Sequence, residues 1–244
     1  MKDLKFKYLL LYIFLVTGIS NASEYWKLEA WIESMSTPNF EEYTDTTERK
    51  EAFFKYLLPA IDSHNEQISE LRNKIINNDI VFDDIKELNK RYKIHEDDDG
   101  SALLRSIDIV PASLVLAQAA MESNWGRSRF AKYYHNFFGL WCFTKGCGVI
   151  PLERDASASH EVAKFSSLDK AIKYYMLSIN RNPTYKVLRL IRQHKRDNNL
   201  SITGISLSEG LEGYAEIGYD YVETIQEIIR YNKLERFDSE TAKI

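Results

Sequence analysis

Between Pro111 and Gly126 the sequence is apolar enough to dictate a buried helix. Leu114, Ala117, Gln118 and Met121, with Leu116 and Ala120, recur at three- and four-residue spacing, so most of the circumference reads as interior. Pro111 suits a first helical turn, where its missing N–H would have had no partner, and Gly126 stops the run. The last turn carries Glu122. Partial burial beside Trp125 disfavours a charged carboxyl there, and the negative end of the helix dipole adds to the penalty. A glutamic acid that keeps its proton near neutral pH in a cleft is a general acid. The ordinary alternative is a solvated helix end, or an ion pair with Arg127 or Arg129.

The remainder of the chain predicts an α+β domain that is predominantly helical. From Glu24 to Tyr92 the sequence is polar with a helical rhythm. Phe53, Phe54, Leu57, Leu58 and Ile61 make one apolar face and Ile68, Leu71, Ile75 and Ile76 another, which predicts antiparallel helices wrapping a catalytic lobe. His95 to Gly100 is acidic and reads as a linker, since it lacks the alternating ligands and terminal Glu of a calcium loop. Glycines and β-formers gather between Phe137 and Phe165. Val149-Ile150 can pair with His160 to Phe165 across a turn-rich segment, giving a small β-hairpin lobe that faces Glu122. Ser167 caps a further helix with Leu168, Ala171, Ile172, Tyr175 and Ile179 on one face. Pro183 interrupts it, Tyr185 to Gln193 resumes, and Tyr221 to Tyr231 closes the fold. The reading therefore divides the chain into residues 1–22, 23–100 and 101–244.

The first segment reads as a signal peptide: Lys2, Lys5 and Lys7 precede an apolar stretch from Tyr8 to Ile19, then Ser20-Asn21-Ala22 as a cleavage site. The stretch is short for a membrane span, which needs about 20 residues, so membrane attachment is expected only if the segment stays uncleaved. Removing its three lysines and Asp3 takes the formal charge from −4 to −6. A mildly acidic chain without a basic stripe argues against nucleic acid as a partner. Cys142 and Cys147 enclose four residues, a spacing a hairpin brings within disulfide distance, and an exported chain meets an oxidising compartment. The spacing differs from the two-residue interval of redox motifs and zinc knuckles, so no metal is expected.

The segment Glu122-Ser123-Asn124-Trp125-Gly126 is followed by Phe130-Ala131 and His135-Asn136-Phe137-Phe138-Gly139. Beyond it come Trp141-Cys142-Phe143, Gly146-Cys147-Gly148, His160-Glu161-Val162-Ala163, Asn180, Leu188-Arg189, Tyr214 and Tyr221-Val222. Together they resemble the peptidoglycan N-acetylglucosaminidases of glycoside hydrolase family 73, and within it the Bax-like branch, over Arg105 to Leu234. A weaker likeness in Arg49-Lys50, Phe53-Phe54, Pro59, Asn65 and Arg72 extends it toward the amino terminus. The resemblance implies a lysozyme-like fold with the acid between a helical lobe and a β-rich lobe.

It further implies an exported, periplasmic endo-β-N-acetylglucosaminidase that hydrolyses the β-1,4 bond between N-acetylglucosamine and N-acetylmuramic acid. Glu122 is then the acid. Glu153 is the candidate for the second catalytic group, with Glu161 as its rival. The substrate's own N-acetyl group is the alternative nucleophile. Tyr214 and Tyr221 match the family's tyrosine motif, and one of them is expected to reach the cleft. Ser123, Trp125, Phe138 and Trp141 are expected at the substrate, with the aromatic rings as platforms for sugars; Asn136 is grouped with them, although bracing the loop is its favoured role over touching substrate. His160 is expected to pack. A monomer without organic cofactor, with glycan strands as its partner, completes the expectation. A lytic transglycosylase, or a non-catalytic wall-binding protein, is the rival reading.

Overall fold

The computed structural model describes residues 37–95, 100–151, 160–215 and 218–238. Asp45 opens helix α1 (Thr46–Ile76) by accepting the backbone N–H groups of Thr47 and Glu48, as a capping aspartate does. Both apolar faces read from the sequence lie on this one helix, which corrects the expected antiparallel pair. Pro59 lies inside it, where a proline costs roughly 3 kcal/mol. Burial holds both sides of that proline in line. Phe53, Phe54, Leu57 and Ile61 enter the main core, while Ile68, Leu71 and Ile75 pack on a second cluster of Leu88, Tyr92 and Ile107. Helix α2 (Phe82–Tyr92) supplies Leu88 and Tyr92 and packs on α3 (Ala102–Ser106).

Helix α4 (Ala112–Ser123) is the apolar run. Every residue from Ala112 to Ala120 is buried, the expected state of a helix apolar on all sides. It begins one residue later than read, with Pro111 as its N-cap. Its orphan donors are met from far along the chain: the Asp238 carboxylate accepts the Ser113 N–H at 2.9 Å and the Ser113 hydroxyl at 2.8 Å. The helix also ends earlier than Gly126. Asn124, Trp125 and Gly126 all take left-handed backbone angles (φ 50°, 58° and 78°), and the turn they make is locked by Ser123. Its hydroxyl donates to the Ala119 carbonyl at 2.6 Å and accepts the Gly126 N–H at 2.8 Å. A side chain at Gly126 would collide with the Phe40 ring.

Helix α5 (Arg129–Tyr134) leads into the β-lobe: β1 (Trp141–Cys142), β2 (Gly148–Val149) and β3 (Glu161–Ala163). The order is β1-β3-β2 and both pairings are antiparallel, with Trp141 and Val149 each opposite Val162. The expected β2–β3 pairing is present within a three-stranded sheet. Strand β1 escapes a periodicity reading because two residues cannot display alternation. Helix α6 (Leu168–Arg181) starts at the Ser167 cap and buries Leu168, Ala171, Ile172, Tyr175 and Ile179. After a 3-10 turn at Pro183–Tyr185 come α7 (Lys186–Asp197), the short α8 (Gly204–Ser208) and α9 (Tyr219–Tyr231). The architecture is the α+β, mostly helical one read from the sequence. Helices α1, α8 and α9 surround α4. Among the described residues no helix is long and apolar enough to cross a membrane; the segment read as a signal peptide, and acidic residues 96–99, lie outside the described residues.

The start of α4 is fixed by charge as well as packing. Asp108, almost wholly buried, lies 2.8 Å from Arg196, 3.7 Å from Arg72 and 3.8 Å from Arg192. Burial alone would raise its pKa. Arg192, Arg196 and Arg72 outweigh that and hold its carboxyl below the ordinary range. Arg192 is itself fully buried, and burial pulls its pKa down to about 10. It also donates to the Ile109 carbonyl at 2.7 Å, so the segment entering α4 is tied to α7.

Candidate active site

Glu122 lies at the end of α4, half-buried, on the floor of a cleft of about 750 Å³. Leu140, Trp141, Phe143 and Val162 form the β-lobe wall, and Tyr174, Tyr175, Ser178 and Tyr185 the helical wall. Glu122 is the sole carboxylate lining this cleft among the described residues. Neither arginine weighed as its ion-pair partner reaches it. Arg127 bonds to Asn124, and Arg129 lies over the Phe130 ring. Desolvation raises the Glu122 pKa, and a hydrogen bond from Tyr221 partly opposes the shift.

That bond belongs to a buried line of side chains. The Tyr221 hydroxyl donates to Glu122 Oε1 at 2.9 Å. Gln118 Nε2 donates to the Tyr221 oxygen at 3.0 Å, and the Tyr175 hydroxyl donates to Gln118 Oε1 at 2.5 Å. Tyr221 is 1 % exposed, and Gln118 and Tyr175 are fully buried. The other carboxyl oxygen faces Gly139, where a Cβ would stand 3.3 Å from Oε2. Gly139 has φ +61°, a region open to glycine at no steric cost. The backbone thus passes close to the acid while leaving room beside it.

The loop carrying Gly139 is held at both ends of its bend. Tyr214 donates to the Phe138 carbonyl at 2.9 Å, and its ring stacks on Tyr221 at 5.1 Å. The Phe138 ring lies flat on Tyr175, 4.1 Å between centroids. Asn136 is buried: its Nδ2 donates to the Leu140 and Ala163 carbonyls, and its Oδ1 accepts the Phe138 and Leu140 N–H groups. Its amide is therefore committed to backbone as a brace of the loop, and not to the substrate. The same holds for Ser123, spent on the α4 terminus. Trp125 is displaced most. The left-handed turn sends its ring away from the cleft, between Phe53 and Phe54 (5.6 and 5.9 Å) and beneath the Lys50 ammonium (4.7 Å).

Trp141 and Phe143 stand at the mouth of the cleft, 52 % and 73 % exposed. Flat rings so placed suit sugar faces. Trp141 stacks on His160 at 4.1 Å, which gives that histidine its packing role. Glu153 lies outside the described residues. Its rival Glu161 is buried and accepts the Gly146 and Gly148 N–H groups at 2.9 and 2.8 Å, so it clamps a loop and does not line the cleft. That loop is closed by the expected disulfide, Cys142–Cys147, with no free cysteine among the described residues. Both sulfurs are consumed, which leaves no thiolate for a metal. Loop-closure entropy for so short a ring is worth about 2 kcal/mol. The double variant C142S/C147S is expected to lower the unfolding free energy by about that amount. Denaturant titrations with and without reductant check this: the wild type should fall to the variant's midpoint in reductant, and an unmoved midpoint would refute it.

Sequence reading missed Gln118, Tyr175, Phe143 and Gly139 as site residues. The first two looked like ordinary core positions, and only the polar atoms of Gln118 and Tyr175 inside an apolar stripe hinted at a partner.

A family model described as mannosyl-glycoprotein endo-beta-N-acetylglucosaminidase, the glucosaminidase model, matches residues 101–234. Among curated proteins, Protein bax of Escherichia coli (strain K12) is 29% identical over 215 residues, covering 83% of this chain and 76% of that protein. Among solved structures, the catalytic domain of the autolysin Auto from Listeria monocytogenes aligns with a TM-score of 0.45 at 20% identity, over 89% of this chain and 98% of that one.

Proposed function

The chain belongs to the glucosaminidase family and is a glycoside hydrolase, and on that premise we propose that it is an exported endo-β-N-acetylglucosaminidase of peptidoglycan. The observation that carries the reading is Glu122: a desolvated carboxyl that is the sole carboxylate lining the cleft among the described residues, with its Oε2 on the side of Gly139. In the proposed reaction the Glu122 proton passes to the glycosidic oxygen as the bond from that oxygen to the anomeric carbon breaks. The second group is Glu153, or the acetamido oxygen of the substrate attacking the anomeric carbon. Water then completes the hydrolysis.

Peptidoglycan as substrate rests on the family 73 resemblance of the motifs from Glu122 to Val222. On this proposal the mature chain works outside the cytoplasmic membrane, in the periplasm, after loss of residues 1–22. Residues 101–244 are the proposed catalytic domain, and helices α1 and α2 before them belong to the proposed amino-terminal extension. The rings of Trp141 and Phe143 would receive pyranose faces at the cleft mouth. Mass spectrometry of fragments released from purified sacculi tests the assignment. Fragments ending in reducing N-acetylglucosamine are the expected result. Anhydro-muramyl ends would make the protein a lytic transglycosylase, and binding without release a wall-binding protein.

A further inference from the structure

We propose that Gln118 and Tyr175 are positioning residues that decide which oxygen of Glu122 carries the catalytic proton. The inference rests on the reading of Glu122 as general acid and adds to it a device behind the acid, reaching into the core from α4 and α6.

Each member of the line from Tyr175 through Gln118 and Tyr221 to Glu122 both gives and takes hydrogen bonds. The line can therefore run in two directions. In the direction present, Tyr175 donates to Gln118 Oε1, Gln118 Nε2 donates to Tyr221, and Tyr221 donates to Glu122 Oε1. Oε1 is then an acceptor, and the proton of the neutral acid sits on Oε2, the oxygen beside Gly139 and the cleft. In the reverse direction Glu122 would donate to Tyr221, Tyr221 to Gln118 Oε1, and Gln118 Nε2 to the Tyr175 oxygen. The acid would still hold its proton, but would point it into the protein and away from a leaving group.

Tyr175 decides between the two. Its hydroxyl is fully buried, and Gln118 Oε1 is its acceptor among the described residues. Reversal would take away that O–H group's acceptor among the described residues and leave it buried, which is costly. The phenol of Tyr175 thereby fixes the amide of Gln118, the amide fixes the rotor of Tyr221, and the rotor leaves Oε2 as the site of the proton.

A consequence separates this from a packing role: removing the whole amide should harm turnover less than removing the hydroxyl that orients it. In Tyr175→Phe the ring still covers Phe138, but the amide can flip, and Tyr221 can donate to it in place of Glu122. In Gln118→Met the Tyr221 hydroxyl has Glu122 as its acceptor and stays aimed.

Steady-state kinetics on soluble glycan chains, at equal folded fraction by circular dichroism, should therefore give about a fivefold lower kcat for Y175F at unchanged KM. Q118M should lose less kcat than Y175F, and Q118M/Y175F should match Q118M, so that adding Q118M relieves the defect of Y175F. An unchanged kcat in Y175F, or a double variant at least as impaired as Y175F, overturns the proposal. Glu122→Gln in the same assay keeps the two claims apart: if E122Q is inactive while Y175F is unaffected, only the positioning device fails, and if E122Q turns over normally, the acid assignment fails first. Should Y175F fold poorly, Q118M alone remains decisive, because a large loss of kcat in a folded Q118M contradicts the account.

Discussion

Glu122→Gln is expected to lose about three orders of magnitude in kcat, the middle of the range for removing a general acid. The amide keeps the volume of the side chain and can accept from Tyr221, so the melting temperature and glycan binding should hold. The variant should also be at least as stable as the wild type, with a definite pH dependence. The Glu122 pKa is raised in the folded state, chiefly by desolvation. Its neutral form therefore suits the fold, and that contribution is lost as pH rises through the raised value. The E122Q protein escapes this loss, so its advantage should appear on the alkaline side. The wild-type rate should fall over the same interval, because an ionised Glu122 has no proton to give. A wild-type rate in E122Q, measured as reducing ends released from sacculi, would remove Glu122 from the mechanism.

Asp108→Asn is expected to lose about 3–5 kcal/mol of stability, the usual cost of removing one partner from a buried ion cluster. The carboxylate lies against Arg72, Arg192 and Arg196, which come from α1 and α7. Without it Arg192 stays fully buried with its charge uncompensated. Whole-domain stabilities are about 5–15 kcal/mol, so the variant should be close to unfolding at physiological temperature. Here the pKa is lowered in the folded state, so the stabilisation is present above the ordinary aspartate range and is lost as pH falls through the lowered value. The difference between wild type and D108N should be full near neutrality in denaturant titrations and shrink in acid. Equal midpoints at pH 7 would show that the cluster contributes nothing net.

What the sequence discloses and what it withholds follow a physical division. Helix α4 and the exposed-to-buried rhythm of α6 are visible because a helix repeats every 3.6 residues, and local periodicity survives without tertiary knowledge. The position of Glu122 at the end of α4 is visible for the same reason. Trp125 is misplaced by sequence reading because three successive left-handed residues turn the chain, and although Asn124 and Gly126 suit that conformation, nothing in a tryptophan announces it. The antiparallel pair expected before Tyr92 fails because nothing local tells two apolar faces on one long helix from two helices. The groups that serve Glu122 are the least legible. Gln118 meets Tyr175 across 57 residues and Tyr221 across 103, and such meetings are decided by how α6 and α9 pack on α4. Tyr214 and Tyr221 enter through family resemblance, whereas Tyr175 reads as one more apolar-face position.

The most direct test of the whole account is the titration of the Glu122 side-chain carboxyl by carbon-detected NMR, with E122Q used to assign the resonance. The account predicts a midpoint above the ordinary glutamate range that coincides with the alkaline fall of kcat/KM. A midpoint within the ordinary range, or one that the rate profile does not follow, would contradict it.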